Sequence, residues 1–175
     1  VYGEADECPI SEFASIKEAS SPYGNTKQIG EEMIRDFARA NSDFNAVLLR
    51  YFNPIGAHPS LHIGELPIGK PQNLIPFITQ TAAGMHENLM IFGNDYNTKD
   101  GTCIRDYIDV VDLSKAHVAA IKKLEFSKES TDNYEVYNLD TGNGASDLDV
   151  ILTFESVSKI NLNYKIGNRR SGDVE

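Results

Sequence analysis

Tyr23 and Lys27 stand four positions apart in SSPYGNTKQIGEEM (residues 20–33), where a helical pattern begins. On a helix, positions i and i+4 share a face. An ammonium one turn from a phenol favours the phenolate and lowers a tyrosine pKa from its usual ~10. Such a tyrosine can take a proton from a substrate hydroxyl near neutral pH. The rival reading is a plain surface pair. Of the eight tyrosines only Tyr23 has lysine at +4, yet chance produces such a pair in roughly one chain in three of this composition.

Other residues offer weaker chemistry. Any one arginine, taken singly, reads best as a solvated surface charge. His58 and His62 have a spacing that zinc sites use on helices, but Pro59 lies between them and no helical pattern surrounds them. They read as loop residues, and no metal site is expected. Cys8 and Cys103 have no metal-like spacing and fit a reducing, intracellular setting.

The elements that must position these groups alternate. Apolar positions Ile29, Met33, Ile34, Phe37 and Ala38 recur at helical spacing over 22–41, with Ser20 or Ser21 as cap and Pro22 in the first turn. NAVLLRYFN (45–53) is the near-continuous apolar run of a buried parallel strand. A long Gly- and Pro-rich loop fills 54–72. Helix is expected over 73–86, strand over 88–92, loop over 93–101 and strand over 102–108. Asp109 then caps a helix carrying Val111, Leu113, Ala116, Val118, Ala119 and Ile121, with His117 as a packing residue. YEVYNLD (134–140) reads as strand, TGNGA as turn, Ser146 as the start of a helix to about Ile160, and NYKIG (163–167) as a last strand. This is the pattern of an α/β protein with a largely parallel sheet. No G-x-G-x-x-G follows a first strand.

The 175 residues carry a formal net charge of −10, with 41% hydrophobic and 24% charged residues. That suits a soluble globular chain and argues against broad nucleic-acid or anionic-membrane binding, which needs a basic face. No apolar run approaches the roughly 18–20 residues of a membrane span. The opening at Val1 reads as a piece of a longer polypeptide.

Together, SSPYGNTK, LLRYFNPIGAHPS, GKPQNLIPFI and IFGNDYNTKDGTCIRDYIDVVDLSKAHVAAI resemble the UDP-galactose 4-epimerases of the extended short-chain dehydrogenase/reductase family. The blocks RYFNPIGAHPS and DGTCIRDYI are far more specific than Tyr-x-x-x-Lys. The resemblance implies a part of a Rossmann-like doubly wound parallel sheet, plus most of a smaller substrate-binding α/β domain. Residues 1–53 would end the NAD-binding domain and carry the Tyr-x-x-x-Lys helix. Residues 54–175 would mainly form the UDP-sugar domain, with a return to the Rossmann sheet around 102–140. The amino-terminal NAD-binding half and the final stretch are expected to lie outside these residues, and residues 1–175 by themselves to hold no NAD and catalyse nothing.

The resemblance also implies roles. Tyr23 would be the base that deprotonates the sugar 4-hydroxyl while hydride passes to NAD. Lys27 would bind the nicotinamide ribose and depress the tyrosine pKa. Asn53 would contact the UDP-sugar phosphate, and Asn73 and Leu74, at a helix start, the diphosphate and uracil. Phe92 would pack on uracil, Arg105 and Arg170 would hold phosphate, Tyr107 would neighbour Arg105, and Asp173 would bind ribose. A cytoplasmic homodimer acting on UDP-galactose and UDP-glucose is implied, through a helical bundle that includes the Tyr23 helix.

Two positions depart from the family pattern. Asp140 stands where glycine is usual, at a turn where φ > 0 would cost an aspartate. Asp147 replaces an apolar residue in a helix's first turn, which is tolerable. The rival readings are a nucleotide-sugar dehydratase or decarboxylase of the same fold, and a non-catalytic binding or dimerisation module.

Overall fold

The computed structural model describes residues 1–3, 5–126 and 133–170. Its elements run α1 (Pro22–Ala40), β1 (Ala46–Tyr51), β2 (Asn53–Ile55), α2 (Leu74–Ala82), β3 (Leu89–Phe92), β4 (Ile104–Asp109), α3 (Val110–Phe126), β5 (Tyr134–Leu139), β6 (Gly144–Ser146), α4 (Asp147–Ser158) and β7 (Tyr164–Gly167). The chain divides into two units. The first joins Val1–Pro54 to Ile108–Gly142, and the second joins Ile55–Tyr107 to the chain from Asn143 onward.

In the first unit β1 and β5 pair in parallel, with Ala46 opposite Tyr134 and Tyr51 opposite Leu139. Tyr2, Ala38, Leu48, Ile108 and Leu113 are buried. Helix α1 starts where the sequence places it. Ser21 is extended (φ −151°, ψ 156°) and its Oγ accepts from Gly24 N at 3.1 Å, with Pro22 at the first helical position. Its apolar stripe is mostly exposed. Ile29, Met33, Ile34 and Phe37 are exposed, Met33 by 68%. Of the predicted stripe only Ala38 is buried. Gly24, Gln28, Glu31, Arg35 and Ala38, at helical spacing, turn inward instead. The apolar period identifies the helix, but polar partners decide which side it buries.

The second unit has a conventional core. Phe77, Ile78, Leu89, Ile91, Ile151 and Leu162 form it, with Leu74, Leu148 and Phe154 packed at its edge. Strands β3 and β7 pair in parallel, Leu89 opposite Tyr164 and Phe92 opposite Gly167. Strand β6 lies in the segment read as a turn. It pairs antiparallel with β4, Ile104 opposite Ser146 and Arg105 opposite Ala145. The approach is so close that a Cβ on Gly144 would fall 2.4 Å from the Ile104 side chain, so glycine is needed for packing here. Helix α2 also ends four residues early, at Ala82.

Asp140 does not take the strained backbone that its sequence position suggested. The left-handed residue of that turn is Gly142 (φ 68°), and among described non-glycine residues only Leu61 and Lys159 have positive φ. The cost argued for aspartate at that turn therefore falls away.

One carboxylate ties β4, β6 and α4 together. Asp100 Oδ1 accepts from Thr102 N (2.9 Å) and Thr102 Oγ1 (2.8 Å), and Oδ2 accepts from Ser146 Oγ (2.5 Å). Ser146 Oγ in turn accepts from Asp149 N at 3.0 Å, in a capping box that starts α4. Burial pushes the Asp100 carboxyl up, but the bonds from Ser146 and Thr102 outweigh it and leave it below its ordinary value. A lowered carboxylate pKa stabilises the fold above the unfolded value of ~4, and that stability is lost as pH falls through the lower folded value. Asp100→Ala leaves two hydroxyls without their acceptor and should cost about 1.5–3 kcal/mol. Chemical denaturation at neutral pH measures this, and the gap between variant and parent should narrow below about pH 4.

Candidate functional site

In the first unit Tyr23 is the second residue of α1. Its side chain is 72% exposed, and Lys27 Nζ lies 5.0 Å from the ring centroid, within cation–π range. The structure therefore brings this pair together on an accessible helix start. Asn53 sits in β2, half-buried.

The depth and rotation of α1 are set by its inward polar groups. Gln28 Nε2 donates to Val1 O (2.6 Å) and Lys17 O (2.7 Å). Arg50, on β1, donates through Nε and NH2 to the two oxygens of Glu31 at 2.8 and 2.6 Å. Its NH1 donates to Tyr2 OH (2.8 Å), which donates to Asn138 Oδ1 on β5 (2.5 Å). Asn138 also donates, from its backbone N to Glu12 Oε1 and from Nδ2 to Ile10 O. The bond from Asn138 holds the Glu12 carboxyl below its ordinary range. The bonds to Glu31 raise the Arg50 guanidinium still further above its ordinary value, against the effect of burial.

The second unit carries most of the other predicted residues. Asn73 is the N-cap residue of α2, extended (φ −93°, ψ 150°), and its side chain makes no capping bond. Leu74 begins the helix and packs its side chain on the core. Two cations attend this helix start. Lys70 Nζ lies 5.2 Å from the Phe77 ring, and Arg170 NH1 reaches Gln72 O at 3.5 Å. The Arg170 guanidinium also lies 5.3 Å from the ring of Phe92, at the end of β3. Phe92, Arg170 and Gln72, two residues before α2, are thus neighbours. Asp173 lies outside the described residues.

Arg105 and Tyr107 alternate along β4, on the same side of the strand. Burial, then the charge of Asp147, pushes the Tyr107 phenol up to about 12, while Arg105 pulls it down. Asp147 is placed by its backbone N, which donates to Cys103 O at 3.0 Å. Tyr107 is thereby kept as a neutral phenol, a hydrogen-bonding group rather than a base. Because the folded pKa is raised, the associated stability is full below the unfolded value of ~10 and is lost as pH rises from there through about 12. Phenolate absorbance, taken as the difference from Tyr107→Phe, should show this phenol ionising above the ordinary ~10. Asp147→Asn should bring its titration to lower pH.

The sequence reading missed Glu31, Arg50, Tyr2 and Asn138. A signal was present for two of them. Arg50 is a charge inside the apolar run AVLLRY, and Glu31 follows Lys27 by four residues. Asp100 was read only as loop.

The comparisons agree with this architecture. The model of the NAD dependent epimerase/dehydratase family matches residues 1–139. UDP-glucose 4-epimerase 2 of Arabidopsis thaliana is 49% identical over 175 residues, all of this chain and 49% of its own length. UDP-glucose 4-epimerase of Mus musculus is 51% identical over 99% of this chain and 49% of its own. The crystal structure of UDP-glucose 4-epimerase from Bifidobacterium longum in complex with NAD+ and UDP superimposes with TM-score 0.93 at 43% identity, covering 99% of this chain and 50% of that one. The chain spans about half the length of the curated relatives it matches. Its fold is the Rossmann-like α/β fold of those structures, and the chain belongs to the NAD dependent epimerase/dehydratase family.

Proposed function

We propose that the protein carrying this chain interconverts UDP-galactose and UDP-glucose by transient oxidation at sugar C4. The observation that carries this reading is the Tyr23–Lys27 pair. An exposed phenol on a capped helix start has an ammonium 5.0 Å from its ring. The reading is supported by relatives named UDP-glucose 4-epimerase at about half identity, and by a neighbour holding NAD+ and UDP.

In this reading the two units divide the work. The first supplies proton transfer: Tyr23 takes the proton from the 4-hydroxyl and later returns it. Lys27, whose Nζ lies over the Tyr23 ring, donates to the nicotinamide ribose. The fit of these residues to NAD rests on both side chains being accessible at the start of α1. When bound, NAD supplies the hydride acceptor and donor at C4. Asn53 is assigned to a UDP-sugar phosphate.

The second unit supplies the nucleotide grip. Arg105 and Arg170 are assigned to the diphosphate, and Tyr107 donates beside Arg105 as a neutral phenol. Asn73 has its side chain unused by the cap and is assigned to the ligand. Leu74, its side chain committed to the core, contributes the backbone N–H that every helix start leaves unused. Phe92 is assigned to uracil and Asp173 to ribose. The exposed Ile29, Met33, Ile34 and Phe37 of α1 support pairing of two copies through this helix. Among the described residues no helix is long and apolar enough to cross a membrane, and a cytoplasmic location is part of the proposal.

In the complete protein, Tyr23→Phe should lower kcat at least about 10²-fold, with UDP affinity within a few-fold of the parent. Conversion of UDP-galactose followed by chromatography is the test, and near-normal turnover would remove Tyr23 from the mechanism. Arg105→Ala should instead weaken UDP by roughly 1.5–3 kcal/mol, about ten- to hundred-fold. Calorimetry with UDP decides it, and an unchanged affinity means that Arg105 is only a structural charge.

A further inference from the structure

Helix α1 is docked without an apolar face. Of its apolar stripe, Ile29, Met33, Ile34 and Phe37 are exposed, and its inward residues are Gly24, Gln28, Glu31, Arg35 and Ala38. Hydrophobic burial is non-directional and fixes a helix loosely in rotation and height. Here those two coordinates are fixed by directional bonds. The tightest is the fork between Glu31 and Arg50, two nearly parallel bonds of 2.8 and 2.6 Å between side chains only 11% and 8% exposed. Arg50 is itself braced by Tyr2 OH at 2.8 Å, and Tyr2 by Asn138 on β5. The helix is thus referenced to both paired strands, one turn beyond Lys27 and two beyond Tyr23. At 1.5 Å per residue, Glu31 lies about 6 Å along the axis from Lys27.

We propose that Glu31, through its fork with Arg50, is a positioning residue for the proton-transfer pair. It fixes the height and rotation at which α1 presents Tyr23 and Lys27. The proposal rests on the catalytic reading of that pair. A buried ion pair is weak evidence for stability, because desolvation offsets its attraction, whereas its best-attested use is to select one geometry. Cutting the fork leaves Gln28 and the contacts at the helix ends, such as Asn133 Nδ2 to Ala38 O at 3.1 Å. Those permit small shifts of the helix start, and a shift near 1 Å in a reacting group can cost ~10²-fold.

The test is steady-state kinetics with UDP-galactose on the complete NAD-loaded protein, expressed per folded, NAD-containing molecule. Glu31→Gln should lower kcat by about tenfold or more and leave KM within about threefold, because all the residues assigned to the nucleotide except Asn53 belong to the other unit. Glu31→Asp keeps the charge but draws the carboxylate back by one methylene from bonds of 2.8 and 2.6 Å, so it should not restore the parent's kcat. If Glu31→Gln does not fold, Arg50→Lys keeps the compensating charge but loses the fork, and should show the same split between kcat and KM. A kcat within about twofold of the parent in the folded variant overturns the proposal. So does a parallel change in kcat and KM, or a parent-like kcat in Glu31→Asp. Tyr23→Phe measured alongside separates the two failures. If it is inactive while Glu31→Gln is normal, only the positioning role falls. If it retains turnover, the reading of the pair falls, and this proposal with it.

Discussion

The first unit is organised around a guanidinium taken out of water. Arg50 stands one residue before the end of β1, a strand otherwise suited to burial, and its charge requires compensation there. Glu31 supplies it from α1, and Tyr2 and Asn138 complete the set of acceptors and donors. Once that arrangement is required, much else follows. Helix α1 must turn its polar side to β1, so its apolar residues face outward. The amino-terminal segment must lie where Tyr2 reaches Arg50, and Lys17 N then donates to Tyr2 O at 3.1 Å. Asn138, drawn to the same cluster, fixes Glu12 and Ile10 against β5.

The second unit applies the same device to strand ends rather than to a helix face. Its apolar core, from Phe77 to Leu162, accounts for α2, β3, α4 and β7. It does not account for β4 and β6, where Arg105 and Tyr107 sit. Those are held by Asp100, which gathers Thr102 from the start of β4 and Ser146 from the end of β6. Thr102 Oγ1 accepts further from Leu148 N at 3.3 Å, in the first turn of α4. Hydrophobic burial builds the scaffold, and a few charge-assisted bonds place the polar strand on it.

These two clusters explain what was legible in the sequence. Periodicity and caps located every helix and the longer strands, because Ser21, Pro22 and Ser146 act locally. Tyr23 and Lys27 were legible because i, i+4 spacing alone makes them neighbours. What stayed hidden depends on pairs far apart in the chain: Glu31 with Arg50, Tyr2 with Asn138, Asp100 with Ser146, Gly144 against Ile104. The side that α1 buries is not legible either, because nothing local in residues 22–41 says that a charge waits on β1. Asp140 was judged from a glycine preference, but the turn places its left-handed residue two positions later, at Gly142.

The two tyrosines with proposed roles show how one side chain is given two chemistries. Tyr107 is half-buried, with the charge of Asp147 near it, and both effects oppose loss of its proton. It can donate a hydrogen bond at any physiological pH. Tyr23 is exposed, with an ammonium over its ring and no comparable burial. A proton-transfer group must exchange its proton with substrate or solvent, so exposure at a helix start suits it, but exposure also removes the packing that would hold it still. That is the difficulty the Glu31–Arg50 fork answers. In the proposed roles, the group that moves the proton is left open, and the rigidity it needs comes from a buried pair two turns along the same helix, where helical hydrogen bonding carries the constraint back to the phenol. The apolar stripe is then free for another surface, so one helix can serve chemistry at its start, docking on one side and association on the other.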